Sequence, residues 1–240
     1  MTYKNFTVET DSDGIALITW DSPEKSMNVI DQSVIDEWEK IIDQVAGDEA
    51  IKGAVFTSGK KAFGAGADLS MLGEMMGQYE ALKAKDPESA AKTLFEQASR
   101  LGLILRKQET CGKPFVAAIN GQALGGVFEM LLACHGRVLA NDPGAKLGLP
   151  EVKVGLFPGG GGTQRLPRLI HTQEALQYLL QGKNFSPDKA KKLGAVHELV
   201  EPGSEVEAAK QMIRDGLKGV QPWDEKGFKL PGGAVYSPAG

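Results

Sequence analysis

Cysteine is scarce, with only Cys111 and Cys134 in 240 residues. Neither belongs to a CxxC pair, which excludes a disulfide framework, and both are expected to be buried thiols. The three histidines, His135, His171 and His197, share no metal-ligand spacing, so no metal is expected. No uninterrupted apolar run approaches the roughly 18 residues that span a bilayer, and MTYKNFTVETD lacks the charged-then-apolar pattern of a signal peptide. This reads as a protein of the cytoplasm or an organelle matrix, without membrane contact. A basic surplus is missing too. With 27 Lys plus Arg against 31 Asp plus Glu, the formal charge is -4, and no single-sign tail offers a field for nucleic acid. Nucleotide loops fail on spacing, because GxxxxGK[ST] does not occur and GxGxxG fits neither Gly64-Ala65-Gly66 nor Gly125-Gly126.

What remains is an ordinary globular composition, 42% hydrophobic and 24% charged, sufficient for one compact domain or two small ones. Residues 14–20 (GIALITW), 52–57 (KGAVFT), 115–119 (FVAAI), 137–140 (RVLA) and 196–200 (VHELV) read as short strands. In SVIDEWEKIIDQVAG, the apolar residues Val34, Trp38, Ile41, Ile42 and Val45 recur at helical spacing. Ser33 is the expected N-cap and Gly47 the closing residue. Further helical patterns cover 90–108, 124–134, 173–180, 187–193 and 205–217, and strands alternating with helices argue for an α/β domain with a largely parallel core. Residues 73–88 read as a mobile connection or an irregular helix. The Gly- and Pro-rich end from Trp223 has neither period and reads as a linker or a cut end.

From Val127 to Cys134 every side chain is apolar except Glu129. A helix here is buried all round, and a lone ionised carboxylate inside it costs several kcal/mol unless compensated. One reading is a carboxylate satisfied by backbone N–H groups or a basic partner. The other is a general acid or base whose pKa is raised by apolar surroundings. Glycines cluster at 61–69 (KAFGAGADL), 121–126 (GQALGG) and 157–166 (FPGGGGTQRL), either for tight turns and helix starts or for chemistry. Free N–H groups where Gly125-Gly126 opens the helix are suited to a developing oxyanion, and the AGAD backbone at Ala67 and Asp68 can supply a second donor. Glu151 follows Pro150 among apolar neighbours, either as a first-turn carboxylate serving a helix or as a second acid/base group.

Taken in order, KAFGAGADL, PFVAAINGQALGGVFEMLLACHGRV, LGLPEVKVGLFPGGGGTQRLPRL and SPDKAKKLGAVHELV resemble the crotonase superfamily, the enoyl-CoA hydratase/isomerase family, over roughly residues 5 to 205. The resemblance implies an α/β fold of repeated β-β-α units wound into a spiral, usually assembled as homotrimers or dimers of trimers. It implies acyl-CoA thioester substrates and no separate cofactor, CoA being part of the substrate. It makes Glu129 and Glu151 the catalytic pair for hydration of a trans-2-enoyl-CoA in fatty-acid β-oxidation. Ala67 and Gly126 become the oxyanion donors, with Ala65, Asp68 and Gly125 lining the substrate. A Δ3-Δ2-enoyl-CoA isomerase and a non-catalytic acyl-CoA-binding subunit are the alternatives. Val127 stands where hydratases commonly carry a third glycine, and there it is expected to narrow the acyl or water site. PWDEKGFKLPGG resembles the connection that leads, in multifunctional fatty-acid oxidation proteins, to a 3-hydroxyacyl-CoA dehydrogenase region. The expected division is therefore a hydratase/isomerase domain at 1–220 and a linker or truncated end at 221–240, with a dehydrogenase domain following in a longer protein.

Overall fold

A computed structural model describes residues 2–233. A hairpin of β1 (Phe6–Thr10) and β2 (Ile15–Trp20) leads into α1 (Gln32–Gly47) and β3 (Gly53–Ser58). The chain continues through α2 (Leu69–Lys83), α3 (Pro87–Thr110), β4 (Phe115–Ile119), β5 (Ala123–Leu124) and α4 (Gly126–Leu132). Then come β6 (Gly136–Ala140), β7 (Leu147–Gly148), a 3-10 turn at Glu151–Val154, α5 (Gly162–Leu169) and α6 (Thr172–Gln181). The last elements are β8 (Asn184–Phe185), α7 (Pro187–Leu193), β9 (Glu198–Val200), α8 (Glu205–Arg214) and a 3-10 turn at Pro222–Asp224.

The large sheet runs β1-β2-β3-β4-β6-β9, parallel throughout except for the β1–β2 hairpin. Strands β3, β4 and β6 are buried on both faces, which explains their unbroken apolar runs. One face carries the main core, where Phe6, Trp20, Trp38 and Phe56 pack ring against ring. On the other face, α8 covers Val55, Val116 and Val138.

A second, smaller sheet, β5-β7-β8, shows how the chain winds. After β2, Ile30 forms a parallel bridge with Ala67; after β3, Gly64 forms one with Ala123; after β4 and β6 come β5 and β7, which pair in parallel. Each turn thus lays one strand in the large sheet, one short extended segment beside the previous turn's, and then a helix or 3-10 turn. This is the α/β spiral of β-β-α units. It brings Ala67, Gly126 and Glu151, which occupy equivalent places in three successive turns, to one end of the small sheet.

Several elements differ from their sequence expectation. Asp31, not Ser33, caps α1, because its carboxylate accepts from the Val34 amide at 3.0 Å while Ser33 donates its hydroxyl to the same oxygen at 2.7 Å. Where a mobile connection or an irregular helix is expected over residues 73–88, the chain forms the helix α2 to Lys83, a turn, and the start of α3 from Pro87. Helix α2 buries no residue, so it leaves no apolar period to read. Leu124 belongs to β5, so α4 starts only at Gly126. At the far end, Gln221 is buried with its amide on the Ala133 carbonyl, and Asp224 takes two hydrogen bonds from Arg106. Residues 234–240 of the expected linker lie outside the described residues. No helix among those described is long and apolar enough to cross a membrane.

Candidate active site

The site grows from the strip Gly64–Asp68 lying against the start of α4. Fully buried Asn28 pins that strip from behind, donating to the carbonyls of Trp20 and Phe63 and accepting from the Ser22 amide, while its own carbonyl takes the Ala65 amide at 3.0 Å. Asp68 caps α2, holding the Ser70 amide and hydroxyl. Its carboxylate is therefore occupied, and the amides of Ala67 and Gly126 are the donors left over. Neither gives its N–H to an acceptor among the described residues. They are neighbours, since a β-carbon on Gly126 would stand 3.9 Å from the Ala67 nitrogen and one on Gly66 would stand 3.8 Å from the Gly126 nitrogen.

Gly125 joins β5 to α4 at φ 59°, ψ -140°, a conformation for glycine alone. Its amide donates to the Gly148 carbonyl at 2.9 Å, and a β-carbon there would meet Glu151 Oε1 at 3.2 Å. Bare backbone at this point is what lets the next turn's carboxylate approach.

Glu129, one helical turn into α4, is 2% exposed. Its Oε2 accepts from Gly160 at 2.9 Å and its Oε1 from Gly162 at 2.7 Å. Glycines of the third cluster thus act as donors to a carboxylate, and β-carbons on Gly160 or Gly162 would crowd it at 2.9 and 3.0 Å. Burial pushes the Glu129 carboxyl above the usual range, opposed by these amides and the Arg165 charge. Glu151 begins its 3-10 turn half-buried, with Oε2 buried and without a partner among the described residues. Burial lifts its pKa to about 7, and the charge of Glu129 adds to the rise.

The two carboxyls expected to work together do converge on Gly125-Gly126, with Glu129 Oε2 3.9 Å from the Gly126 β-position. The Glu129 carboxylate is satisfied by backbone amides and is also displaced in pKa by burial. Val127 is a core residue. It is fully buried, and its Cγ2 would lie 3.0 Å from a β-carbon on Gly64, so the missing side chain at Gly64 makes room for it in the core. Within the strip, Ala65 is exposed. The roles of Asn28, Gly160, Gly162, Glu109 and Arg165 carried no separate signal in the sequence, because each depends on a contact between distant turns. Among the described residues no three His, Cys, Asp or Glu groups converge as a metal site.

Residues 10–218 match the Enoyl-CoA hydratase/isomerase family, and the chain belongs to it. Among similar proteins, a fatty acid oxidation complex subunit alpha from Shewanella frigidimarina is 40% identical over 220 residues, covering 91% of this chain and 29% of that protein. One from Idiomarina loihiensis is 41% identical over 198 residues, covering 82% of this chain and 26% of that protein. The chain therefore spans less than a third of the length of these relatives. Of solved structures, DspI of Pseudomonas aeruginosa is 31% identical with a TM-score of 0.73 over 88% of this chain and 74% of its own. An enoyl-CoA hydratase from Geobacillus kaustophilus is 29% identical with a TM-score of 0.75, covering 90% and 75%.

Proposed function

We propose that this chain hydrates trans-2-enoyl-CoA thioesters to 3-hydroxyacyl-CoA in fatty-acid β-oxidation. The observation that carries this is the convergence of two pKa-raised carboxyls on the unsatisfied amides of Ala67 and Gly126. Those amides receive the thioester oxygen, with Ala65, Asp68 and Gly125 forming the strip along which the substrate lies. Glu129, whose two oxygens both accept amide N–H groups of the Gly160–Gly162 loop, is held in the form that takes a proton; Glu151, whose Oε2 has no partner among the described residues, keeps its proton until about pH 7. Water oxygen bonds to C3 as Glu129 removes its proton, and the C2–C3 π electrons move onto the thioester oxygen. The enolate then reforms its carbonyl as C2 takes the proton of Glu151. One water is added, and passage of the proton from Glu129 to Glu151 restores the starting pair. The CoA belongs to the substrate, and no resident cofactor enters the scheme.

Glu151 also favours a second activity in the same pocket. A half-buried carboxyl with a partner-free oxygen and a pKa of about 7 can both take and return a proton, as moving a Δ3 double bond to Δ2 requires. The relatives' greater length supports a place within a longer chain; a following 3-hydroxyacyl-CoA dehydrogenase region and assembly as a homotrimer are what the resemblance of the sequence implies. Loss of the conjugated-thioester absorbance of crotonyl-CoA and of a longer 2-enoyl-CoA, with product analysis from 3-enoyl-CoA, tests this reading. Binding of these thioesters without turnover would leave only an acyl-CoA-binding subunit.

A further inference from the structure

Behind the pocket, the amides that orient Glu129 belong to a glycine-rich loop. Residues 157–162 read Phe-Pro-Gly-Gly-Gly-Gly, Phe157 is 78% exposed, and glycine backbone loses more freedom on ordering than any other. Two side chains restrain this loop. Arg165, 6% exposed in the first turn of α5, reaches back so that its Nη1 donates to the Gly160 carbonyl at 2.6 Å. Its Nε donates to Glu109 Oε1 at 2.6 Å. Gly161, at φ 103°, leaves the path open, since a β-carbon there would overlap the guanidinium. Glu109, 2% exposed in the last turn of α3, has its other oxygen fixed by Arg106 at 3.1 Å, and Arg106 in turn grips Asp224 through both terminal nitrogens.

A buried ion pair is poor evidence of stabilisation, because desolvation offsets its attraction and apolar replacements are often neutral. What this pair does geometrically is fix the carbonyl of the same residue whose amide holds Glu129 Oε2. We infer that Arg165 and Glu109 are positioning residues for the hydration reaction, an ion pair that sets the orientation of the Glu129 carboxylate through the Gly160–Gly162 loop. The inference rests on the proposed function. It also makes the Arg106–Asp224 contact the outer anchor of that support.

The test compares Arg165→Gln, Arg165→Lys and Glu109→Gln with Glu129→Gln and with Arg100→Gln, which removes the surface pair to Asp36 and Glu39. Steady-state rates on crotonyl-CoA are measured across pH in the full chain. Arg165→Gln is expected to lower kcat about 10- to 100-fold with KM within about twofold, since misplacing a catalytic group costs rate rather than binding. With the favourable cation gone, the acid limb assigned to Glu129 moves to higher pH. Arg165→Lys recovers part of the rate, and Arg100→Gln stays at the parent's. If Arg165→Gln fails to give a native circular dichroism spectrum, Glu109→Gln, which keeps the Arg165 charge, must show the same kcat loss. The inference is overturned by a folded Arg165→Gln enzyme with parental kcat, by a kcat loss with an unmoved pH profile, or by a loss seen mainly in KM. Full activity in Glu129→Gln would instead sink the function itself.

Discussion

Glu151 turns Oε1 toward Gly125, where a β-carbon would stand 3.2 Å away, and leaves Oε2 without a hydrogen-bond partner among the described residues. The turn of the spiral after Gly125 delivers this carboxyl, and the glycine's lack of a side chain admits it. A carboxyl so placed is a proton store with a defined pH signature.

That signature follows from its raised pKa. Glu151 is protonated in the fold up to about pH 7 instead of the ordinary 4.5, so as the acid it works below that point, and kcat is expected to fall as pH rises through about 7. The same shift acts on stability. The bound proton stabilises the fold fully below the unfolded value and is lost as pH rises through about 7. Glu151→Gln should therefore melt higher than the parent at pH 8 and equally at pH 4, as scanning calorimetry can read. A parent less stable at pH 4 than its Gln variant, with parity at pH 8, contradicts the assignment.

The Gly126 amide can be separated from the Gly126 side-chain space. Alanine and proline both meet Ile30 Cδ1, 3.1 Å from the β-position, but only proline removes the N–H, and the first position of a helix tolerates it. Gly126→Pro should lose about 10²- to 10³-fold in kcat relative to Gly126→Ala, the effect of deleting one oxyanion donor. Equal rates in the two variants remove Gly126 from the reaction.

Val127 is a core residue lodged in the space beside Gly64. Val127→Ala should cost about 2 kcal/mol of stability, an ordinary price for deleting buried methyls, and leave chain-length preference alone. Denaturant midpoints and rates on short and long enoyl-CoAs check this. A stable variant with widened chain-length preference would place Val127 at the acyl site.

His135 is buried and neutral, its Nδ1 accepting the Phe115 amide at 3.0 Å and its Nε2 set 3.1 Å from the Glu109 carbonyl. Burial depresses its pKa, so the stability it contributes is present above about pH 6.5 and is lost as pH falls below it. Glu151 gains stability over the same range, so the test is made against the variant: the melting temperature of the parent relative to His135→Gln should fall between pH 7 and pH 5. An unchanged slope in the variant contradicts it.

Much of this was legible in the chain. The apolar runs of β3, β4 and β6 are complete because those strands are covered on both faces, and α1 shows its period because it buries one stripe. Glu129 stood out as the lone charge in an apolar helix. Helix α2 was not legible, since it buries nothing, and neither were the two-residue strands β5, β7 and β8, which are too short for alternation. The support of the site was hidden for another reason. Asn28 binds residues on three separate segments, and Glu109 meets Arg165 across 56 positions, contacts that exist only once the spiral closes.

The most direct measurement is crotonyl-CoA hydration by Glu129→Gln, Glu151→Gln and the double variant, each shown to be folded by circular dichroism. Each single change should cost about 10²- to 10⁴-fold in kcat, and the double variant little more than the worse single, because the two groups act as one unit. Near-parental turnover in either single variant would contradict the two-carboxyl account.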